Sequence, residues 1–221
     1  MTDIQTNLQT RFRGAVFDLD GTLVDSEPAW EKAKHIVAER HGREISAAQI
    51  AASIGRSMDD LVADVFAPVD MATSRAIEDE IFGVGEEWLP RLRQPIPGAA
   101  AFLRDLHAHG LRIAICSSSR EHLIRDALVQ LDVLELVEQI VSADPLPRRK
   151  PDPMPYQVTA EQLKLPPSEL IAFEDALPGA RSASGAGLFT VAIGPDTASE
   201  AFAFCDMQAP DYPTLRRTLN I

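Results

Sequence analysis

Five short apolar runs alternate with amphipathic stretches along most of this chain. The runs cover residues 15–17, 111–116, 138–141, 170–173 and 189–193. Each is too short for a helix and ends in polar, glycine or proline positions, which predicts buried strands. Between them, apolar positions recur at helical spacing over residues 99–109, 120–131, 155–163 and 177–186. Gly110 supplies a C-terminal stop for the first of these helices. Strands alternating with helices predict a parallel sheet with crossover helices. Ligands of such sheets sit beyond the carboxyl ends of the strands.

The alternation breaks between residues 27 and 93, where helical patterns cover 30–40, 58–66 and 72–88 with little strand signal. Pro95 and Pro97-Gly98 mark a return to the sheet. The expected fold is α/β: a Rossmann-like parallel core with helices on both faces, plus an inserted all-helical cap. Its expected parts are a disordered lead-in over 1–13, a catalytic core from 14–26 and 94–221, and a cap over 27–93.

Composition narrows the partners. The chain has 221 residues, 45% of them hydrophobic, enough for a real core. A net charge of −12 and a pI of about 4.8 argue against nucleic acid or an anionic membrane surface, which call for a broad basic face. No stretch resembles a signal peptide or a membrane span. With only Cys116 and Cys205, a disulfide framework is not expected, and the expected location is the cytoplasm. The sequence is silent on oligomeric state, with a monomer favoured.

Chemistry gathers at the predicted strand ends. Asp18 and Asp20 follow the first run and, two apart on an extended chain, face the same side before Gly21 breaks the strand. Paired anions there are costly without a cation or a catalytic task. One can attack phosphorus while the other moves protons. The plainer alternative is a pair of turn formers. Ser117 follows the second run, where it could also cap the next helix. Most loop lysines are solvated surface charges, but Lys150 falls between the third run and its helix, at the edge where the site is expected. Glu174-Asp175 closes the fourth run with two hard oxygen donors suited to Mg²⁺.

With these residues in view, the chain resembles the haloacid dehalogenase-like phosphatase superfamily. The motif Phe17-Asp-Leu-Asp-Gly-Thr22 is similar to the first family motif and Ile115-Cys-Ser117 to the second. Lys150-Pro-Asp-Pro153 is similar to the third and Phe173-Glu-Asp-Ala-Leu-Pro-Gly179 to the fourth, all four in order. Val24-Asp-Ser-Glu-Pro-Ala-Trp30 resembles the sugar-phosphate phosphatases related to β-phosphoglucomutase. The resemblance implies an aspartyl-phosphate formed on Asp18, with Asp20 as acid and base. It implies Ser117 and Lys150 on the phosphoryl oxygens. It implies Mg²⁺ held by Asp18, the carbonyl of Asp20, Asp175 and Glu174.

The implied substrate is a small phosphorylated metabolite such as a sugar or polyol phosphate. The nearest alternative is a sugar-phosphate mutase, which carries a histidine where this chain has Trp30. A second alternative is a catalytically idle binding protein on the same fold. Substrate reading is expected from Arg56 in the loop Ser53-Ile-Gly-Arg-Ser57, and from Ser118, Ser119 and Arg120 after the second motif. Trp30 could stack on a sugar or belong to the cap core.

Overall fold

The structure, a computed structural model, describes residues 11–53 and 58–221, with side chains from 51 to 59 outside the description. The chain forms two compact units, one from residues up to Asp25 together with Pro95–Ile221, the other from Ser26–Gln94.

In chain order the first elements are strand β1 (Gly14–Phe17) and β2 (Val24–Asp25). Helices α1 (Glu27–Arg40), α2 (Ala47–Ser53), α3 (Met58–Phe66) and α4 (Met71–Leu92) follow. After β3 (Gln94–Pro95) come α5 (Ala99–Ala108), β4 (Arg112–Ser117), α6 (Glu121–Gln130) and β5 (Val137–Ser142). Then come α7 (Met154–Leu163), β6 (Leu170–Glu174), α8 (Leu177–Gly185) and β7 (Phe189–Ile193), and finally β8 (Met207–Ala209) and α9 (Tyr212–Leu219). Each of the five expected strands is present.

The main sheet has the order β5-β4-β1-β6-β7-β8 and every pairing is parallel. Period-two alternation divides its side chains between two cores. Ala15, Phe17, Ile113, Ile115, Ile171 and Phe173 join residues of α5, α6 and α9 on one face. Val16, Ala114, Cys116, Leu170 and Ala172 meet Tyr156, Ala160 and Leu163 of α7 and Ala183 of α8 on the other. The rings of Phe17 and Phe173 stack at 4.7 Å, and Phe102 meets Phe173 edge-on at 5.2 Å. Each such pair is worth about 0.5–1.5 kcal/mol beyond its buried area. They stiffen two strands directly behind their carboxyl ends.

Two expectations change. Residues 11–13 are packed, not part of a disordered lead-in: Phe12 is 2% exposed and sits against Phe189 at 5.2 Å. Arg13 donates its backbone N–H to the Glu169 carbonyl and pairs with its carboxylate at 3.0 Å. A single buried aromatic between arginines carries no periodicity, so this attachment is invisible to pattern reading. The other change is at the C-terminus, where β8 and α9 extend the sheet unit beyond the last expected strand.

The helical unit has its own core, including Ala33, Val37, Val62, Phe66, Ile77 and Ile81. Asp70 caps α4 by accepting the Thr73 N–H at 2.7 Å. Trp30 packs edge-on against Phe82 at 5.7 Å, over Gly85, where a Cβ would come within 2.2 Å of the indole. Among the described residues no helix is long and apolar enough to cross a membrane.

Candidate active site

Three adjacent strands aim their ends at one point. Phe17 is in register with Ile115 of β4 and Phe173 of β6, so Asp18 emerges one step beyond that row, beside Cys116 and Glu174. The Asp18 N–H still donates to the Phe173 carbonyl at 3.0 Å, continuing the ladder. Strand order reverses around β1, which is where such sheets open a crevice. The chain then turns sharply. Gly21 has φ +84° and donates its N–H to Val24 at 2.7 Å.

Lys150 is the hub. Its Nζ donates to Asp18 Oδ1 at 2.7 Å, to Glu174 Oε1 at 2.7 Å and to the Cys116 carbonyl at 2.9 Å. That uses all three ammonium hydrogens. Burial alone would lower the Lys150 pKa, but Asp18 and Glu174 overcome it and raise the pKa, so the side chain is a fixed cation. The Tyr156 hydroxyl donates to the same Glu174 Oε1 from α7. Thr22 Oγ1 donates to Asp175 Oδ1 at 3.3 Å.

One donor atom from each of Asp18, Glu174 and Asp175 lies within 4.8 Å of the other two. When all three ionise, they face one ammonium, so two negative charges stay uncompensated. Burial first, then the charge of Asp18, drives the remaining carboxylates upward: Asp175 to about 7, Glu174 to about 8 against the pull of Lys150. A cluster of hard oxygens short of two positive charges fits a divalent cation, which would hold all three ionised.

Asp20 is held separately. Asp20 Oδ2 accepts the Ser119 hydroxyl at 2.6 Å. Ser117 lies at the end of β4, and its Oγ accepts the Ser119 N–H at 3.0 Å. It does not cap α6, because the N-cap position of that helix is Arg120. The carboxylate of Asp20 is outside the cluster of three, so only its backbone carbonyl is left for the metal role the resemblance implied.

A sequence model of the haloacid dehalogenase-like hydrolase family matches residues 15–193. The chain belongs to this family. Validoxylamine A 7′-phosphate phosphatase from Streptomyces hygroscopicus subsp. limoneus is 29% identical, over 93% of this chain and 96% of its own. A phosphoglycolate phosphatase from Cereibacter sphaeroides is 35% identical, over 79% of this chain and 82% of its own. The solved β-phosphoglucomutase of Clostridium difficile shares the fold, with a TM-score of 0.75 at 19% identity, over 95% of this chain and 97% of that one.

For this haloacid dehalogenase-like hydrolase, the structure brings Asp18, Asp20, Ser117, Ser119, Lys150, Glu174 and Asp175 to one end of the sheet. Ser118 and Arg120 are exposed beside them. Arg56 lies outside the described residues. Trp30 is half-buried against Phe82 and Gly85 within the helical unit. Cys116 serves through its carbonyl, and burial pushes its thiol up to about 12, as expected for a small core side chain. Sequence reading missed Tyr156 and Thr22. Tyr156 reads as an apolar position of α7, and nothing local marks its hydroxyl as a partner of Glu174. Thr22 stands within the first motif, where nothing local marks its hydroxyl as a partner of Asp175.

Gly21 offers a test of how tightly the cluster is built. A Cβ there would stand 2.1 Å from Asp175 Oδ2, in a left-handed backbone conformation. Gly21→Ala is expected to cost about 1–2 kcal/mol from the backbone alone. It should also push Asp175 off the cluster. The expected result is a lower melting temperature together with weaker divalent-metal binding by calorimetry, a combination that plain turn strain would not produce.

Proposed function

We propose that this enzyme is a Mg²⁺-dependent hydrolase of small phosphomonoesters, sugar or polyol phosphates, working through an aspartyl-phosphate on Asp18. The observation that carries the reading is a buried carboxylate, Asp18, held by Lys150 at 2.7 Å, with a second aspartate two residues on. Two related phosphatases named for phosphate-ester substrates support it.

With Oδ1 tied to Lys150, Oδ2 of Asp18 is the oxygen for attack on phosphorus. The P–O(ester) bond breaks as Asp20 gives its proton to the departing alkoxide, releasing the alcohol. Asp20, now a carboxylate, takes a proton from water as that water attacks the aspartyl-phosphate. The P–O(Asp18) bond breaks, phosphate leaves, and Asp18 is regenerated. Ser117 orients a phosphoryl oxygen, while Lys150, its three hydrogens engaged by Asp18, Glu174 and the Cys116 carbonyl, fixes the attacking carboxylate and offsets phosphoryl charge, the positioning work that dominates phosphoryl transfer. Mg²⁺ held by Asp18, Glu174, Asp175 and the Asp20 carbonyl would neutralise charge on the transferring group.

Hydrolysis is favoured over mutase chemistry because Trp30 fills the place of the mutase histidine and is committed to Gly85 and Phe82. Ser118, Arg120 and Arg56 are the proposed readers of the substrate's remote end. The test is a phosphate-release screen over phosphorylated metabolites in Mg²⁺, with the products of sugar 1-phosphates separated chromatographically. Free phosphate is the expected product. An isomeric sugar phosphate without phosphate release would make the enzyme a mutase.

A further inference from the structure

We propose that Ser119 is a positioning residue that sets the orientation of Asp20. The inference rests on the acid–base role proposed for Asp20 and extends it to a residue for which the sequence suggested only substrate contact.

The geometry is a relay of hydrogen bonds anchored in the sheet. Ser117 ends β4 and Ser142 ends β5, and the two are paired in register. The Ser142 hydroxyl donates to the Ser119 carbonyl at 2.8 Å, and Ser142 Oγ in turn accepts the Asp144 N–H at 3.3 Å. The Ser119 N–H donates to Ser117 Oγ at 3.0 Å. Ser119 is therefore gripped at both its carbonyl and its amide. Its hydroxyl, half-buried, is left to reach across 99 residues of sequence and donate to Asp20 Oδ2 at 2.6 Å.

A carboxylate that shuttles protons needs its two oxygens kept apart in role. Rotation about the last side-chain torsion of an aspartate is broad and roughly two-fold, so the oxygens exchange freely unless one is held. A hydroxyl donating to Oδ2 holds it. The proton to be delivered is then assigned to Oδ1. In the second half-reaction the same bond keeps Oδ1 aimed at the attacking water. Ser119 touches neither phosphorus nor leaving group in this scheme; it acts through Asp20.

The test measures phosphoenzyme formation by rapid quench, with two probes in Mg²⁺. One is the alkyl phosphate that releases most phosphate in the screen above; the other is p-nitrophenyl phosphate, whose leaving group departs without a proton. For Ser119→Ala, transfer from the alkyl phosphate is expected to slow by about tenfold or more, within the span of general acid catalysis, with KM within about twofold. Transfer from p-nitrophenyl phosphate should change far less. Ser119→Thr keeps the hydroxyl and should restore the alkyl rate. In an Asp20→Asn background, Ser119→Ala should add nothing, because the two act as a unit.

A raised KM with unchanged kcat would overturn the inference in favour of direct substrate contact. Equal slowing with both probes, or independent effects in the double variant, would overturn it too. These outcomes leave the hydrolase reading standing. A native enzyme that releases phosphate from no phosphomonoester would overturn that reading and this inference with it.

Discussion

Asp18→Asn is expected to reduce turnover to the assay background, a loss on the order of 10⁴-fold or more, as for other enzymes stripped of their nucleophile. The amide keeps the shape of the carboxylate but cannot attack phosphorus. Lys150 keeps Glu174 and the Cys116 carbonyl as partners, so the cation is not stranded. Removing one of three crowded carboxylates also lowers the repulsion in the cluster. The variant should therefore fold, melt within a few degrees of the native chain and still bind substrate. Phosphate release and quench trapping of the phosphoenzyme check the claim together. Steady turnover with no trapped phosphoenzyme in either protein would refute the covalent route.

Removal of divalent metal should have the other large effect, on activity and on stability at once. Without metal, Glu174 and Asp175 titrate near 8 and 7 in the folded chain. In the unfolded chain they titrate near 4. The folded state therefore holds protons that the unfolded state has released. By linkage, stability is unaffected by these groups below about pH 4 and falls as pH rises through about 8. The metal-free protein should melt progressively lower between about pH 5 and pH 8. At pH 8, Mg²⁺ at a hundred times its dissociation constant should add about 2.7 kcal/mol. For a chain of this size that is roughly 5–10 °C in melting temperature. Chelator should abolish phosphate release, and Mg²⁺ should restore it. Full activity in excess chelator, with a melting temperature indifferent to Mg²⁺, would remove the metal from the mechanism.

Much of the catalytic end of the molecule was legible before the fold. An apolar run that stops at a polar residue marks both a buried strand and the point where it reaches solvent. Asp18, Ser117 and Glu174 were located by that rule alone. The alternation of strands and helices then put those ends on one edge, because parallel strands must all point the same way. What stayed hidden shares a different character. Short elements hid: β8 is three residues long, too few to display a period, and α2 spans seven. Phe12 hid because one buried ring among charged neighbours has no pattern.

The partnerships hid most completely. Lys150 is legible as a site residue, but not its partners: the fold surrounds it with three acceptors from three segments. Tyr156 is an apolar position of a helix until its hydroxyl meets Glu174. Ser119 is one serine of three until it meets Asp20 across 99 residues. Local sequence records which face of an element is buried, because backbone periodicity and solvent act residue by residue. Which polar atoms meet inside is decided by the register and packing of segments far apart in the chain, and those exist only once it has folded.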